Sequence, residues 1–134
     1  MKDKAQYGYI GMTADGIHIG HIRALEHCKE LCHKLIVGVM SDESVEDYKG
    51  KKPMMSFDDR IDCVYALKMV DVVWKQDTFE FPHQVWRMKS FHGEDLIIFD
   101  SPEHKRKGAD VIVPKTERIS STKIKGSYNS QLPF

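Results

Sequence analysis

Long hydrophobic runs and an excess of charge of one sign are both missing from this chain. It carries 20 Lys and Arg residues against 20 Asp and Glu residues, so the formal net charge is zero. No global field therefore draws it to nucleic acid or to a membrane surface. No apolar stretch is long enough to span a bilayer, and the N-terminus lacks a cleavable apolar segment. We expect neither nucleic acid nor membrane among its partners, and any specificity for anions must come from local clusters.

Cysteine is also scarce. The three residues Cys28, Cys32 and Cys63 form no paired framework, which is typical of a reducing compartment and predicts a cytoplasmic protein. No internal repeat or low-complexity linker interrupts the 134 residues, of which 41% are hydrophobic. This length and composition predict a single domain, residues 1–134, with a substantial core.

Short apolar runs alternate with amphipathic stretches along the chain. The pattern predicts strands at 7–12, 34–40, 70–74, 95–99 and 110–113. It predicts helices at 19–33, 57–69 and 82–91, a polar lysine-rich connection at 41–55, and possible caps of a short terminal helix at 120–122. This alternation favours an α/β fold, a Rossmann-like, doubly wound, parallel five-stranded sheet with flanking helices. In such a sheet, ligands bind beyond the carboxyl ends of the strands.

The most informative motif follows the first predicted strand, where His18 and His21 stand three positions apart at the start of a helix. This spacing places both imidazoles on one face of the first turn, beside unpaired backbone N–H groups. Gly20 has no side chain, so a bulky anion could approach the backbone. Surface histidines capping a helix, or two metal ligands lacking a third, are the alternatives. With Thr13 and Asp15 ahead of it, the motif favours a phosphate site and hence a nucleotide-using enzyme.

Lysines follow the second predicted strand. Lys49, with Gly50 behind it, is expected at the tip of a flexible loop, where it could swing over a bound triphosphate and bridge two phosphates. Lys51 and Lys52 are weaker candidates for the same role. The alternative is a solvated charged loop.

Two further cationic segments follow later strands. Arg60 lies in the first turn of a helix that Ser56 caps, where its guanidinium suits bidentate phosphate binding or, equally, a salt bridge to a neighbouring aspartate. Lys115 leads into three hydroxyls at a helix start, at 120–122, which could hold terminal phosphates or serve only as a cap.

Two other clusters are discounted. Residues 27–33 contain His and Cys, but Cys28 and Cys32 fall on the apolar face of their helix and are interpreted as buried thiols rather than metal ligands. The run 104–107, His-Lys-Arg-Lys, is interpreted as a solvated turn.

Together these segments resemble the cytidylyltransferase family, within the wider H-x-G-H nucleotidyltransferases. The Ser-Asp-Glu at 41–43 followed by Lys-Gly at 49–50 is similar to the loop that carries that family's catalytic lysine. Arg60 and the Val-Asp pair at 70–71 fall at the positions where the family has an arginine and a Val-Asp pair. The Met-Thr-Ala-Asp at 12–15 is similar to a variant in phosphonate-related members, and the compact length is similar to glycerol-3-phosphate cytidylyltransferases.

The chain also departs from the family pattern. Lys115 replaces an arginine, Arg118 replaces a glycine, and Phe-Asp-Ser at 99–101 lacks one of two family carboxylates. These changes bear on the acceptor substrate more than on the nucleotide chemistry.

The resemblance implies that CTP and a small phosphomonoester, glycerol 3-phosphate as first choice, give a CDP-linked product and pyrophosphate. It implies catalytic roles for His18, His21, Lys49 and Arg60, and contact with the acceptor by Lys49, Lys51 and Asp42. It implies nucleotide binding by Met12, Thr13, Ala14, Asp15, Gly20, Asp100, Lys115, Thr116, Ile119, Ser120, Ser121 and Thr122.

A triphosphate substrate further implies Mg²⁺ or another divalent cation. Its protein ligands are unknown, with Asp15 and Asp100 as candidates, and a homodimer is expected from the resemblance alone. Two other functions stay open: an adenylyltransferase using ATP, and a non-catalytic nucleotide-binding sensor.

Overall fold

The computed structural model describes residues 3–104 and 106–115, which build a parallel sheet with strand order β3-β2-β1-β4-β5. The strands are β1 (Ala5–Met12), β2 (Cys32–Met40), β3 (Val72–Gln76), β4 (Leu96–Asp100) and β5 (Val111–Ile112). The helices are α1 (Ile19–Glu30), α2 (Asp42–Lys49), α3 (Phe57–Tyr65) and α4 (His83–His92), and a 3-10 turn spans Gly93–Asp95. The predicted α/β class and the five-stranded parallel sheet are confirmed.

The central strands β1 and β2 are apolar along nearly their whole length because helices cover both faces of the sheet. Leu35, Val37 and Val39 of β2 are fully buried. Leu25 of α1 packs in the core on one face, and Val85 of α4 packs in the core on the other. The strand order reverses between β1 and β4, and ligands of open α/β sheets bind in the crevice at such a reversal.

The connection predicted at 41–55 is wrong in its first half, because residues 42–49 form helix α2. Ser41 caps this helix by accepting a hydrogen bond from the N–H of Ser44 at 3.2 Å, and Gly50 ends it with a φ of 77°. Glycine adopts this left-handed conformation at little cost. Lys49 is therefore the last residue of a capped helix and not the tip of a flexible loop.

Other element boundaries differ by a few residues. The first predicted helix ends at Glu30 rather than at 33, since β2 already begins at Cys32. The helix predicted to reach residue 69 ends at Tyr65. The short helix expected at 120–122 lies outside the described residues. Within the described part of the chain, no helix is long and apolar enough to cross a membrane.

Two lysine–aspartate pairs fasten the amino-terminal ends of the strands. Asp71 accepts hydrogen bonds from the N–H of Leu35 at 2.8 Å and from Lys29 Nζ at 2.6 Å, which ties β2, α1 and the start of β3 together. Asp110 repeats this arrangement beside β4, where it accepts from Lys89 and from a backbone N–H. These contacts hold the sheet rigid at the end opposite the predicted ligand crevice.

Candidate active site

His18 and His21 form a reciprocal cap at the start of α1. Nδ1 of His18 accepts a hydrogen bond from the N–H of Gly20 at 3.0 Å, and Nδ1 of His21 accepts one from the N–H of His18 at 3.1 Å. The two rings are in contact, with centroids 3.9 Å apart. The predicted side-by-side placement on the first helical turn is present in the structure.

These hydrogen bonds fix the tautomer of both rings. An Nδ1 atom that accepts a hydrogen bond carries no proton, so the neutral imidazole has its proton on Nε2. Burial, with smaller contributions from the charges of His18 and Lys49, lowers the pKa of His21 and favours this neutral form. Each ring is thereby left with one N–H donor, on Nε2, for a ligand.

Gly20 is required by the ring of His18. A Cβ atom at position 20 would lie 2.8 Å from Cε1 of His18 and 3.1 Å from its Nδ1. The space that the sequence suggested for an approaching anion is thus occupied by the imidazole itself. Gly20 contributes by letting His18 fold over the helix terminus.

The turn between β1 and α1 is held in a fixed, strained shape. Ala14 has a φ of 60°, which is uncommon for a residue with a side chain, and it is buried. The carboxylate of Asp15 accepts hydrogen bonds from the N–H groups of Met54 and Met55, both at 2.8 Å. The Met54 bond is the largest cause of the lowered pKa of Asp15. The turn and the segment that follows Lys49 are therefore joined.

The charge of Lys49 acts on Asp15 of this turn and on histidines at both sides of the crevice. Burial is the largest cause of the lowered pKa of both His21 and His104. The positive charge of Lys49 lowers both pKa values further. It also contributes to the lowered pKa of Asp15, after the larger effect of Met54. The exposed Lys49 thus ends a helix and not a mobile loop, and its charge acts on the His21 ring.

Arg60 is placed differently from the expectation of direct phosphate contact. Its side chain is completely buried. Its N–H groups donate to the carbonyls of Thr13 and Met40, both at 2.7 Å, to the carbonyl of Met55 at 3.1 Å, and to Oδ1 of Asp42 at 2.6 Å. Of the five N–H donors of a guanidinium, four are thereby used by the protein itself.

The other predicted acceptor contacts lie at the surface. The side chain of Asp42 is 44% exposed although its Oδ1 atom binds Arg60. Lys51 is exposed beyond the end of α2. Both residues are therefore accessible from solvent.

Asp100 ends β4 and forms a buried ion pair that the sequence did not reveal. It accepts from Nη1 of Arg106 at 2.7 Å, from the backbone N–H of Arg106 at 2.6 Å and from that of Ser101 at 2.9 Å. The side chains of Asp100 and Arg106 are 1% and 0% exposed. The interpretation of 104–107 as a solvated turn is therefore wrong at Arg106. The one signal in the sequence was the position of Asp100 at the end of an apolar strand, because a carboxylate buried there needs a cation such as Arg106 to fold inward and pair with it.

An aromatic cluster lies beside Lys49. The rings of Tyr48 and Phe79 stack with centroids 4.3 Å apart and planes 13° apart, and His104 contacts both edge-on. The guanidinium of Arg106 lies 4.2 Å from the centroid of Phe79 and also donates to the Phe79 carbonyl. Since Tyr48 and Arg106 cannot share one face of the ring, both faces of Phe79 are covered.

A buried polar pair positions the segment that carries Phe79. Tyr9 Oη donates to Oε1 of Gln76 at 2.5 Å, and Nε2 of Gln76 donates to the carbonyl of Thr78 at 2.8 Å. A Cβ atom on Gly38 would overlap the Tyr9 hydroxyl, at 1.8 Å, so this position of β2 needs glycine. The pair links the centre of the sheet to the loop after β3.

The predicted metal ligands do not fit a protein-bound cation. Both oxygens of Asp15 accept backbone hydrogen bonds, and Asp100 is neutralised by Arg106. Among residues 3–104 and 106–115, no group of three His, Cys, Asp or Glu side chains could hold a metal ion. A divalent cation that accompanies a triphosphate would therefore depend on phosphate and water oxygens at these two positions.

Lys115 is the last described residue of the predicted terminal cluster. Its Nζ lies 4.0 Å from Oε1 of Glu103, both side chains being about 70% exposed. Glu103 is also one of the charges that act on His21. Because β5 runs parallel to β4, and β4 runs parallel to β1, the end of β5 lies at the same edge of the sheet as the end of β1, which leads to the histidine pair. The remaining predicted nucleotide-binding residues, Thr116, Ile119, Ser120, Ser121 and Thr122, lie outside the described residues.

Comparison with known proteins identifies the family. The sequence model of the family described as cytidylyltransferase-like matches residues 9–127. The chain belongs to this family. The resemblance inferred from the histidine motif and its companion segments is confirmed, and the family is one of nucleotidyltransferases.

Similar proteins carry several names. Ethanolamine-phosphate cytidylyltransferase of Dictyostelium discoideum is 28% identical over 127 residues, which cover 88% of this chain and 35% of that protein. Bifunctional protein HldE of Hyphomonas neptunium is 39% identical over 126 residues, covering 87% of this chain and 26% of that protein. FAD synthase of Thermococcus sibiricus is 44% identical over 63 residues, covering 47% of this chain and 43% of that protein. The chain thus spans less than half the length of the curated relatives it matches.

Solved structures share the fold. The lipopolysaccharide core biosynthesis protein of Thermoplasma volcanium matches with a TM-score of 0.66 at 21% sequence identity, over 84% of this chain and 98% of that one. At this identity the likeness supports the architecture alone, and it agrees with the doubly wound sheet described above.

Proposed function

We propose that the chain is a cytidylyltransferase that joins CTP to a small phosphomonoester, with glycerol 3-phosphate as the first candidate, to give a CDP-linked product and pyrophosphate. The observation that carries this proposal is the reciprocal cap of His18 and His21, which leaves one Nε2–H donor on each of two adjacent rings at a helix N-terminus, where the charge of Lys49 also acts. The description of the matching family supports cytidylyl transfer. So does the 88% coverage of the chain by ethanolamine-phosphate cytidylyltransferase.

The reaction balances without a general base. An anionic phosphate oxygen of the acceptor forms a new bond to the α-phosphorus of CTP, and the bond from this phosphorus to the bridging α,β oxygen breaks. Pyrophosphate leaves with the electron pair of that bond. Because the attacking oxygen is already deprotonated, catalysis consists of in-line positioning and of neutralising charge at the α-phosphate and the leaving group.

The histidines supply oriented donors to that charge. Neutral imidazoles fixed by their Nδ1 contacts need no reorganisation when charge develops, which is what makes such donors effective. The partial positive charge of the α1 N-terminus acts in the same direction. In this proposal, the backbone of 12–15 surrounds the phosphates, and Gly20 contributes only by letting the His18 ring fold over the helix terminus.

Lys49 would bridge the acceptor and the α-phosphate as a compact positive charge. Lys51 and Asp42, at the solvent side of α2, would meet the acceptor. Lys115 and the segment 116–122 would hold the far end of the triphosphate. Mg²⁺ would arrive with the nucleotide, and a homodimer stays a prediction of the resemblance.

Phe79 offers no open ring face to a quaternary ammonium acceptor. A cation–π site needs such a face, and both faces of Phe79 are already covered by Tyr48 and Arg106. This is consistent with glycerol 3-phosphate, whose phosphate would be met by cationic side chains, as the first candidate.

A second candidate, adenylyl transfer from ATP, is favoured by the FAD synthases. Their identity to this chain reaches 44%, although over only 47% of it. The product that this name states contains adenine and not cytosine. None of the described site residues by itself selects the base.

Pyrophosphate release from CTP and from ATP, each with glycerol 3-phosphate, ethanolamine phosphate, choline phosphate and FMN, tests the proposal. We expect release with CTP and glycerol 3-phosphate, and a larger rise of the melting temperature with CTP than with ATP. Release with ATP alone would replace the proposal by the second candidate. No release from any pair, despite nucleotide binding, would favour a nucleotide-binding sensor.

A further inference from the structure

Arg60 connects the turn between β1 and α1, the junction of β2 and α2, and the segment that leads into its own helix α3. It begins in α3, where Ser56 caps the first turn by accepting from the N–H of Asp59. From there the guanidinium reaches carbonyls that lie 47, 20 and 5 positions away in the chain, and a carboxylate 18 positions away. Nothing else in the described structure joins these particular segments at one side chain.

Three of the four partners of Arg60 belong to segments that adjoin the groups of the proposed reaction. The Thr13 carbonyl lies in the turn that leads to His18. Asp42 is the first residue of α2, and Lys49 is the last residue of the same helix. The Met55 carbonyl belongs to the segment whose N–H groups are bound by Asp15. A rigid eight-residue helix therefore separates the Arg60 contact from the Lys49 ammonium.

A phosphate ligand needs an accessible guanidinium, and that of Arg60 has no exposed surface. A buried charge must be matched by hydrogen bonds, and three carbonyls and one carboxylate provide the match. The planar fork of arginine can serve four acceptors at once, whereas a lysine ammonium offers three donors from one point.

We infer that Arg60 is a positioning residue that sets the distance between the histidine turn and the Lys49 helix, and that it does not contact substrate. Arg60 binds the turn through Thr13 and helix α2 through Asp42. The Nε2–H donor of His18 and the charge of Lys49 are therefore held at a fixed distance from each other. The inference rests on the proposed function only for the chemical role of Lys49.

The first test is independent of any reaction. Amide hydrogen exchange is compared between the wild-type chain and the Arg60→Lys variant. The control is the substitution Lys34→Arg at an exposed position. We expect exchange at 13–15, 41–50 and 54–55 to accelerate about 10-fold or more, because local opening there loses its shared anchor. Exchange in β1 and β4 should change much less. Uniform acceleration over the whole chain, or none, would overturn the inference.

The second test is kinetic and asks whether Arg60 acts through Lys49. With CTP and glycerol 3-phosphate, Arg60→Lys should lower kcat about 10- to 100-fold, as expected when a reacting group is displaced by about 1 Å. The KM for CTP should change less than about 3-fold, because no bound phosphate loses a partner. In a Lys49→Ala background, adding the substitution Arg60→Lys should lower kcat little further, since the ammonium that Arg60 positions has already been removed.

Equal losses in both backgrounds, or a large rise in KM with unchanged kcat, would overturn the positioning role. If Arg60→Lys fails to fold, the hydrogen-exchange comparison is made with Asp42→Ala instead, because this variant removes the carboxylate contact to α2 and leaves the guanidinium on its three carbonyls. The kinetic comparison is not made with this variant, since Asp42 is also an expected acceptor contact. An inactive wild-type chain would count against the proposed function, while the exchange experiment would still decide the inference.

Discussion

The substitution Gly20→Ala, at the start of α1, should lower turnover strongly while changing the free energy of unfolding only slightly. The added Cβ would lie 2.8 Å from Cε1 of His18, so the ring must retreat to at least the 3.4 Å of ordinary contact. The ring is a movable side chain, and the backbone of α1 need not shift. The hydrogen bond from the N–H of Gly20 to Nδ1 of His18 is lost, together with the alignment of the Nε2–H donor.

Two effects on stability nearly cancel in this variant. Alanine is favoured over glycine within a helix by about 1 kcal/mol. Loss of one hydrogen bond costs about 0.5–1.5 kcal/mol. We therefore expect the free energy of unfolding to change by less than about 1 kcal/mol, from the sum of these opposed terms. Turnover should fall about 10²-fold, the size expected when a catalytic group is misplaced by about 1 Å.

Urea unfolding and pyrophosphate release measure the two quantities on the same preparation. The matched control adds Gly20→Ala to a His18→Ala chain, where the new Cβ meets no ring and turnover should fall no further. Wild-type turnover in Gly20→Ala would refute the reasoning. So would an equal loss in both backgrounds, because the effect would then not pass through His18.

The remaining predictions concern the buried ion pair and the histidines. Arg106→Met should destabilise the chain by about 3–5 kcal/mol in urea unfolding, since Asp100 keeps a buried charge with two backbone N–H donors but no cationic partner. The double variant Arg106→Met with Asp100→Leu should recover much of the loss, and a single-variant loss below about 1 kcal/mol would show that the pair is not buried in solution. Burial lowers the pKa of His21 in the folded state from its ordinary 6.5, so the unfolded chain binds more protons below pH 6.5. The free energy of unfolding should therefore fall as the pH drops below 6.5, and His21→Gln should flatten this slope when unfolding is measured from pH 5 to 8. A slope that is unchanged in His21→Gln would contradict the assignment.

The parts of the site that depend on local spacing could be predicted from the sequence. Apolar runs define the strands, and the three-residue spacing of His18 and His21 alone places both rings on one helical turn. Helix α2 was missed because residues 42–49 are polar on nearly every side and offer no apolar periodicity. Its Ser41 cap and Gly50 terminus were the available signals.

The parts that depend on contacts between distant segments could not be predicted. Arg60 is buried because carbonyls up to 47 positions away close around it, and Arg106 folds inward to Phe79, 27 positions earlier in the chain. In each case a basic residue next to other charged residues suggests solvent or ligand contact. Only the folded arrangement of strand ends shows that the protein itself supplies the partners.

The most direct measurement of the central claim is pyrophosphate release by the wild-type, His18→Ala and His21→Ala chains at saturating CTP with glycerol 3-phosphate. Removal of either oriented donor should lower turnover about 10²–10⁴-fold, the range for loss of one such group in the transition state. Turnover within twofold (roughly experimental scatter) of wild type in either variant would contradict the account, because that imidazole would then take no part in stabilising the transferred phosphate.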